Sequence, residues 1–311
     1  MKFGIERFCM NDDMVLFYTG FGDYNNFLSV FNALQPTAVN MIRWSQVQRQ
    51  RNQSSQFNNT AFRSESLLLI DQFFMFLCRV RQGFSENDLA VRFDISISSV
   101  RKFIMTWSNY LYVMLGLLPI WPDKSTINKY IPECFKVLYP NVRVILDCTE
   151  IRVQTPSSKV RNSEMYSNYK SHTTMKGLLG IKPNGMISFI SSLYTGSISD
   201  KEITRLSGII DLLDVGDDVM VDKGFLIQDL LTPKRAKIVI PPFLRQRDQF
   251  TKEQVKETQE IARLRIHLER AIRRCKEYHI FDSVIPLTTA GSIDQIWTVC
   301  CLLTNFHGKL F

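Results

Sequence analysis

Three acidic residues carry most of the chemistry open to this 311-residue chain. Asp147 lies in RVILDCTEIRV, Asp222 in DDVMVDKGF and Glu269 in RIHLERAIRRCK. They are separated by about 75 residues (222 − 147) and then about 47 (269 − 222), so only a fold can bring them together. The two aspartates each close an apolar run that reads as a strand, which aims a carboxylate at the edge of a sheet. Carboxylates converging there supply the oxygen ligands that a hard cation such as Mg²⁺ or Mn²⁺ prefers. A pair of such cations activates a water and stabilises the leaving oxygen of a phosphodiester.

Each acid also has a plainer explanation. A carboxylate at the buried end of a strand costs several kcal/mol unless it finds a cation or hydrogen bonds, and neighbouring N–H groups could satisfy Asp147 as a turn residue. Asp222 precedes Lys223 and Gly224, and the glycine lets the chain turn away so that the carboxylate projects alone. The same letters describe an ordinary Asp-x-Gly turn. Glu269 has Arg265 and Arg273 one helical turn on either side and Lys276 nearby, which is also the pattern of a surface ion-pair row. Other acids compete less well. Strand alternation points Glu150 to the opposite face from Asp147, Asp200 suits a helix cap, and Asp217 and Asp218 precede a strand as turn residues.

The elements that must position these acids fall in the second half of the chain. RVILDCTEIRV is β-branched and reads as a strand. KGLLGIKPNGMISFISSLYTG reads as two strands joined by Lys182-Pro183-Asn184-Gly185, a hairpin signal. Ser199-Asp200-Lys201-Glu202 is a capping box that opens a helix containing Ile203, Leu206, Ile209 and Ile210. DDVMVDKGF and AKIVIPPF are short strands. Thr251 to His279 reads as one long helix with Ile261, Leu264, Leu268, Ile272 and Cys275 on a stripe. Strand, hairpin, helix, strand, helix, strand, long helix is the order of an α/β domain with a mixed sheet flanked by helices, of the RNase H-like kind.

The first half reads differently. Residues 1–60 form an N-terminal helical and linker segment, with helical spacing at Phe27, Leu28, Phe31 and Leu34. RWSQVQRQRNQSSQFNNT follows as a polar connector, in which Arg43, Arg49 and Arg51 could meet phosphate. Residues 61–118 look like a helix-turn-helix domain. Leu67, Leu68, Ile70, Phe73, Phe74, Phe76 and Leu77 supply an apolar face, and Gln82-Gly83 ends that helix. Ser85-Glu86-Asn87-Asp88 is a capping box with Asp as its last member. In DLAVRFDISISSVRKFIMTW, Ala90, Asp94 and Val100 take the small, turn and anchor positions. The second helix starts near Ser96 to Ser98 and presents Ser98, Ser99, Arg101 and Lys102 to the major groove or to phosphates. An ordinary helical hairpin fits the same letters. Residues 119–140, broken by Pro119, Pro122 and Pro140, read as a linker to a domain over 141–311.

Composition narrows the partner. The chain has 38 Lys and Arg against 30 Asp and Glu, a net charge of +8, which favours a polyanion. Cys9, Cys78, Cys134, Cys148, Cys275, Cys300 and Cys301 are odd in number and include no Cys-x-x-Cys pair, so neither a zinc ribbon nor a secreted disulfide framework is expected. MKFGIERFCMNDD lacks the marks of a signal peptide. The longest apolar stretch, near Tyr110 to Trp121, falls far short of the ~20 residues that cross a bilayer. A soluble protein with reduced thiols is the expectation.

In order along the chain stand FYTGF, DQFFMFLCRVRQG, DLAVRFDIS, LPIWP, VILDCTEIRVQTPSS, YSNYKSHTTMKGLLGI, LYTGSISDKEIT, VMVDKGF, IPPF and IARLRIHLERAIRR. Jointly they resemble the DDE superfamily endonucleases of the Harbinger type, the animal branch often found with THAP domains. The likeness runs from about Phe17 to about Asn305. It implies an RNase H-like catalytic core behind a transposase helix-turn-helix, with Asp147, Asp222 and Glu269 as the catalytic, metal-binding triad. A zinc-coordinating THAP module has no counterpart here, which leaves recognition of DNA ends to the helix-turn-helix or to a second protein. The resemblance implies a separate Myb-like DNA-binding partner and a nuclear location, with cytoplasm the alternative.

The resulting expectation is a divalent-metal-dependent endonuclease acting on double-stranded DNA as a homo-oligomer, with no membrane partner. Lys170, Lys176, Arg265, Arg273 and Lys276 are the backbone-contact candidates. The competing expectation is a domesticated DNA-binding or protein-interaction factor that keeps the fold without transposing. A small-molecule phosphoesterase is disfavoured, because neither GxGxxG nor GxxxxGK[ST] occurs.

Overall fold

The computed structural model describes residues 3–41, 67–222, 224–240 and 252–308. Arg43, Arg49 and Arg51 lie outside the described residues, as does Lys223. Helices and strands are numbered in chain order. The described residues form two compact units, one from the residues up to Leu118 with Glu277–Ser283 and Gly291–Gly308, the other from Pro119–Lys276 with Val284–Ala290.

The first unit is helical. It contains α1 (Asp12–Thr19), α2 (Tyr24–Ala38), α3 (Leu69–Gln82), α4 (Glu86–Phe93) and α5 (Ile97–Gly116). Phe27, Phe31 and Leu34 bury one face of α2, as their spacing requires. The helix-turn-helix follows its local signals closely. Gly83 ends α3 with φ 66°, a left-handed position that glycine takes without strain. The Ser85 side chain accepts the Asp88 N–H and starts α4. Asp94 ends α4 at φ 53°, ψ 52°, left-handed in spite of its side chain. Ser96 then caps α5 by accepting the Ser99 N–H. Ala90 and Val100 are buried, as the turn and anchor pattern demands.

The second unit holds α6 (Lys124–Tyr130), α7 (Glu133–Leu138), β1 (Val142–Arg152), α8 (Lys159–Met165), β2 (Tyr166–Ser167), β3 (His172–Ile181), β4 (Ile187–Ile190), β5 (Tyr194–Thr195), α9 (Asp200–Leu206), β6 (Asp218–Met220), α10 (Gln228–Leu231), β7 (Lys237–Val239) and α11 (Lys252–Lys276). The strands run β2-β3-β1-β6-β7, and β4 and β5 also pair with β3. β1 is antiparallel to β3 and parallel to β6, and β6 is parallel to β7. The β3–β4 turn has Gly185 at φ 85°, the left-handed residue expected of that hairpin. One face of the sheet packs Val144, Leu146, Leu178, Ile203 and Val219 into a core. A mixed sheet flanked by helices in this order is the RNase H-like α/β fold that the element pattern predicted.

From Gly291 onward, α12 (Ala290–Thr304) is part of the helical unit. Its Trp297 ring lies 5.6 Å from Phe281, and the Tyr278 hydroxyl meets His307 Nε2 at 2.9 Å. Asn26 donates to the Phe306 carbonyl at 2.8 Å. A helical unit needs apolar faces to close its core, and the chain's end supplies one.

Residues 119–140, expected as a linker, are likewise part of the second unit. Arg143 is buried, with its guanidinium 5.0 Å from the Trp121 ring, its Nη2 on the Pro122 carbonyl and its Nε 3.5 Å from the buried Asp217. Lys124 reaches Asp217 at 3.2 Å. Trp121 and Pro122 therefore dock on the start of β1. The long helix is also shorter than expected, because α11 stops at Lys276 and a 3-10 turn spans His279–Phe281.

Candidate active site

Asp147 is not at a strand terminus, as the apolar run suggested, but inside β1. It is, however, where β1 loses one neighbour. Pairing with β3 continues to Arg152, whereas pairing with β6 ends at Ile145 opposite Met220. The offset of that last pair is the same 75 residues that separate the two aspartates. Extending the parallel register by two residues sets Asp222 beside Asp147, just past the end of β6. Adjacent strands lie about 4.8 Å apart, so the two carboxylates share one small region where the sheet opens.

The face is fixed by alternation. Val144 and Leu146 point into the core, with Cys148 packed against it, so Asp147 points to the other side. α11 packs along β1 and β3, and its Arg265 Nη1 bonds Asp222 Oδ1 at 2.9 Å. Ile261, Leu264, Ile272 and Cys275 are buried along the stripe predicted for this helix. Leu268, the other member, has its side chain outside the described residues.

Asp147 is strongly perturbed. Its Oδ1 accepts the Cys148 N–H at 2.8 Å. Burial nonetheless pushes its pKa up to about 6; the Cys148 N–H and Arg265 oppose the rise, and Asp222 and Asp200 add to it. Desolvation next to another acid disfavours the charged form of a carboxylate, and a cation relieves that. The donor set of Asp147 and Asp222 therefore fits a hard divalent ion.

Glu269 is exposed on α11. Spacing of four and seven residues puts it on one flank of the helix with Arg265 and Lys276. Both neighbours feel the site: Arg265 through Asp222, and Lys276 through Asp147, whose charge opposes the lowering of the Lys276 pKa by burial and by Lys170. Among the described residues, however, no group of three or more His, Cys, Asp and Glu side chains is close enough to hold a metal. The fold thus brings Asp147 and Asp222 together and puts Glu269 on the flank that carries Arg265, without gathering all three into one coordination shell.

The remaining candidates divide by their surroundings. Lys176 has partners within the fold: its side chain is 12% exposed, its Nζ lies 2.7 Å from Asp200 Oδ1, and it donates to the Ile198 carbonyl at 3.1 Å. Its partner Asp200 does open α9, but the cap is Ser199, which accepts the Glu202 N–H. Glu150 lies on the face opposite Asp147, as alternation required, and accepts the Thr174 hydroxyl at 2.7 Å. Lys170 and Arg273 are exposed, as is Lys276.

In the helix-turn-helix, Ser98 and Ser99 each meet the Ser96 hydroxyl at 2.9 Å, Arg101 pairs with Glu86, and Lys102 is exposed. The sequence reading passed over Tyr169, whose residue is 83% exposed and whose ring lies 4.5 Å from Lys170 Nζ. An aromatic beside a cation in YSNYK was the available signal.

No helix among the described residues is long and apolar enough to cross a membrane. No curated protein matches the chain. Residues 65–117 match the family model described as the helix-turn-helix of DDE superfamily endonuclease, over the stretch where Asp94 turns the chain between two helices. Residues 146–305 match the model described as DDE superfamily endonuclease; that match begins one residue before Asp147, takes in Asp222 and Glu269, and covers about half of the chain. On that coverage, and with its own helix-turn-helix ahead of it, the chain belongs to the DDE superfamily endonucleases, a family of transposase origin.

Proposed function

We propose that this protein is a divalent-metal-dependent DNA endonuclease in which Asp147 and Asp222 hold the cations and Glu269 completes the set. The observation that carries the reading is the shared 75-residue offset: β1 and β6 pair in parallel as far as Ile145 and Met220, two residues before Asp147 and Asp222. Bound Mg²⁺ or Mn²⁺ would supply a water of lowered pKa and charge stabilisation for the departing 3′ oxygen.

The protein's own groups do the rest. β1 carries Asp147 on a strand, and Asp222 follows the end of β6 by two residues. Burial keeps Asp147 poorly hydrated, which strengthens its pull on any cation that arrives. Lys170, Arg273 and Lys276 offer positive charge to the phosphate backbone, and Lys102 offers it from the helix-turn-helix. Duplex DNA is the substrate proposed, and the nucleus the compartment in which it would be met.

A second reading is a DNA-binding factor of the same ancestry that no longer cleaves. It is favoured by one observation, the Asp222 carboxylate being held by Arg265. Labelled duplex DNA incubated with purified protein, with and without Mn²⁺, separates the two. The nuclease reading expects Mn²⁺-dependent cleavage that Asp222→Asn removes while duplex binding persists. Binding without cleavage by the wild type in Mn²⁺ selects the second reading.

A further inference from the structure

We propose that Arg265 is a built-in placeholder for the cation, holding Asp222 until a divalent ion takes its position and then serving as a positioning residue for the substrate phosphate. The inference rests on the metal-dependent reading above and deepens it.

The geometry is that of a stand-in. One guanidinium bonds Asp222 Oδ1 at 2.9 Å. That positive charge stands on Asp222 where a cation held by this carboxylate would place its own.

The exposures show how the exchange can begin. The Arg265 side chain is 13% exposed, whereas the Asp222 side chain is 53% exposed. A hydrated cation can reach Asp222 from its open side while the guanidinium still covers the other. Arg265 is also not saturated where it lies: its Nε is buried and has no hydrogen-bond partner among the described residues. A buried donor left without an acceptor is costly, so this position favours a move to a site that uses the whole fork.

A phosphodiester supplies that site. Guanidinium presents five N–H donors in a plane that matches two phosphate oxygens, which a lysine cannot do. A divalent ion would be held by the two acids through oxygen, and the Arg265 so released would turn to the phosphate brought beside them. In metal-free protein the same side chain keeps the site neutralised and competes with cations. Metal and DNA binding are thus coupled through one residue, each favouring the state that the other needs.

The test measures binding rather than turnover. Mn²⁺ affinity is read by electron paramagnetic resonance on the full chain for wild type, Arg265→Gln and Asp222→Asn. Duplex affinity is read by fluorescence anisotropy with and without Ca²⁺. Arg265→Gln is expected to bind Mn²⁺ about fivefold more tightly than wild type, the scale of losing a partly exposed ion pair as competitor. Asp222→Asn is expected to bind it at least about tenfold more weakly, because one charged oxygen ligand is gone. Duplex affinity of the wild type should rise in Ca²⁺, and Arg265→Gln should lose that rise.

Unchanged or weaker Mn²⁺ binding by Arg265→Gln, with Asp222→Asn still impaired, rejects the placeholder and leaves the metal site standing. Equal Mn²⁺ binding by Asp222→Asn and wild type rejects the metal site and the placeholder together. Should Arg265→Gln lose its folded circular-dichroism spectrum, Arg265→Lys takes its place. That variant should match wild type in Mn²⁺ affinity yet show a smaller Ca²⁺-dependent gain for duplex, and a full gain overturns the proposal.

Discussion

The two faces of β1 carry acids of opposite kinds. On one face Glu150 accepts the Thr174 hydroxyl, and nearby Asp200 is paired with Lys176 at 2.7 Å. Burial works against the Lys176 charge, but Asp200 outweighs it and holds the Lys176 pKa above its usual value. On the other face Asp147 has one backbone N–H and a share of one guanidinium, and it is held at about 6. Acids that only build the fold are matched to partners at once. An acid left short of compensation within the same strand is a candidate for function.

The sharpest way to break this comparison is to neutralise one acid on each face. Asp147→Asn should lower Mn²⁺-dependent cleavage on the order of a thousandfold or more, the scale of removing one member of a catalytic set. Glu150→Gln should leave cleavage within about threefold of wild type, which a duplex-nicking assay reads. Equal losses would mean that the faces do not differ in role.

Stability should show a smaller but opposite contrast. Lys176→Met strands the Asp200 carboxylate and is expected to cost about 2 kcal/mol, a buried-pair penalty reduced by the partial exposure of Asp200. Chemical denaturation measures it, and a change under about 0.5 kcal/mol would show that the pair is not structural.

pH separates the faces again. Asp147 binds its proton more tightly folded, at about 6, than at the 3.8 of an ordinary aspartate. That contribution is complete below pH 3.8 and is lost as pH rises through about 6. Metal-free protein should therefore lose stability across this window, by at most about 3 kcal/mol. Asp147→Asn should flatten that part of the curve, as should saturating Mn²⁺. A profile identical in wild type and Asp147→Asn would mean that Asp147 titrates normally. The smallest effect expected is for Thr174→Val, which removes only the hydroxyl that serves Glu150 and should cost about 1 kcal/mol by the same denaturation assay.

The parts of the fold legible in the sequence are those written in local letters. Ser85, Asp94 and Ser96 punctuate the helix-turn-helix through bonds to residues two or three positions away, so their roles could be read without the fold. The Lys182-Pro183-Asn184-Gly185 turn and the apolar stripe of α11 were legible for the same reason. Less is legible where the deciding partner is distant. Lys176 gives no local sign of Asp200 and Ile198, which are remote in sequence but adjacent in space. Nothing near Trp121 announces the buried Arg143 whose guanidinium meets its ring. A Cβ on Gly196 would press within 2.7 Å of the Met165 carbonyl, a contact only the folded chain makes.

The sequence by itself determined which acids were available, which elements carry them and how many residues separate them, because strand and helix signals depend on periodicity and neighbouring side chains. Only the tertiary structure decided that the 75-residue interval equals the offset between two parallel strands, that Arg265 sits on Asp222, and that α12 from Gly291 onward completes the helical unit. Those outcomes depend on register and long-range packing, in which one chain segment selects another by shape and charge across dozens of intervening residues.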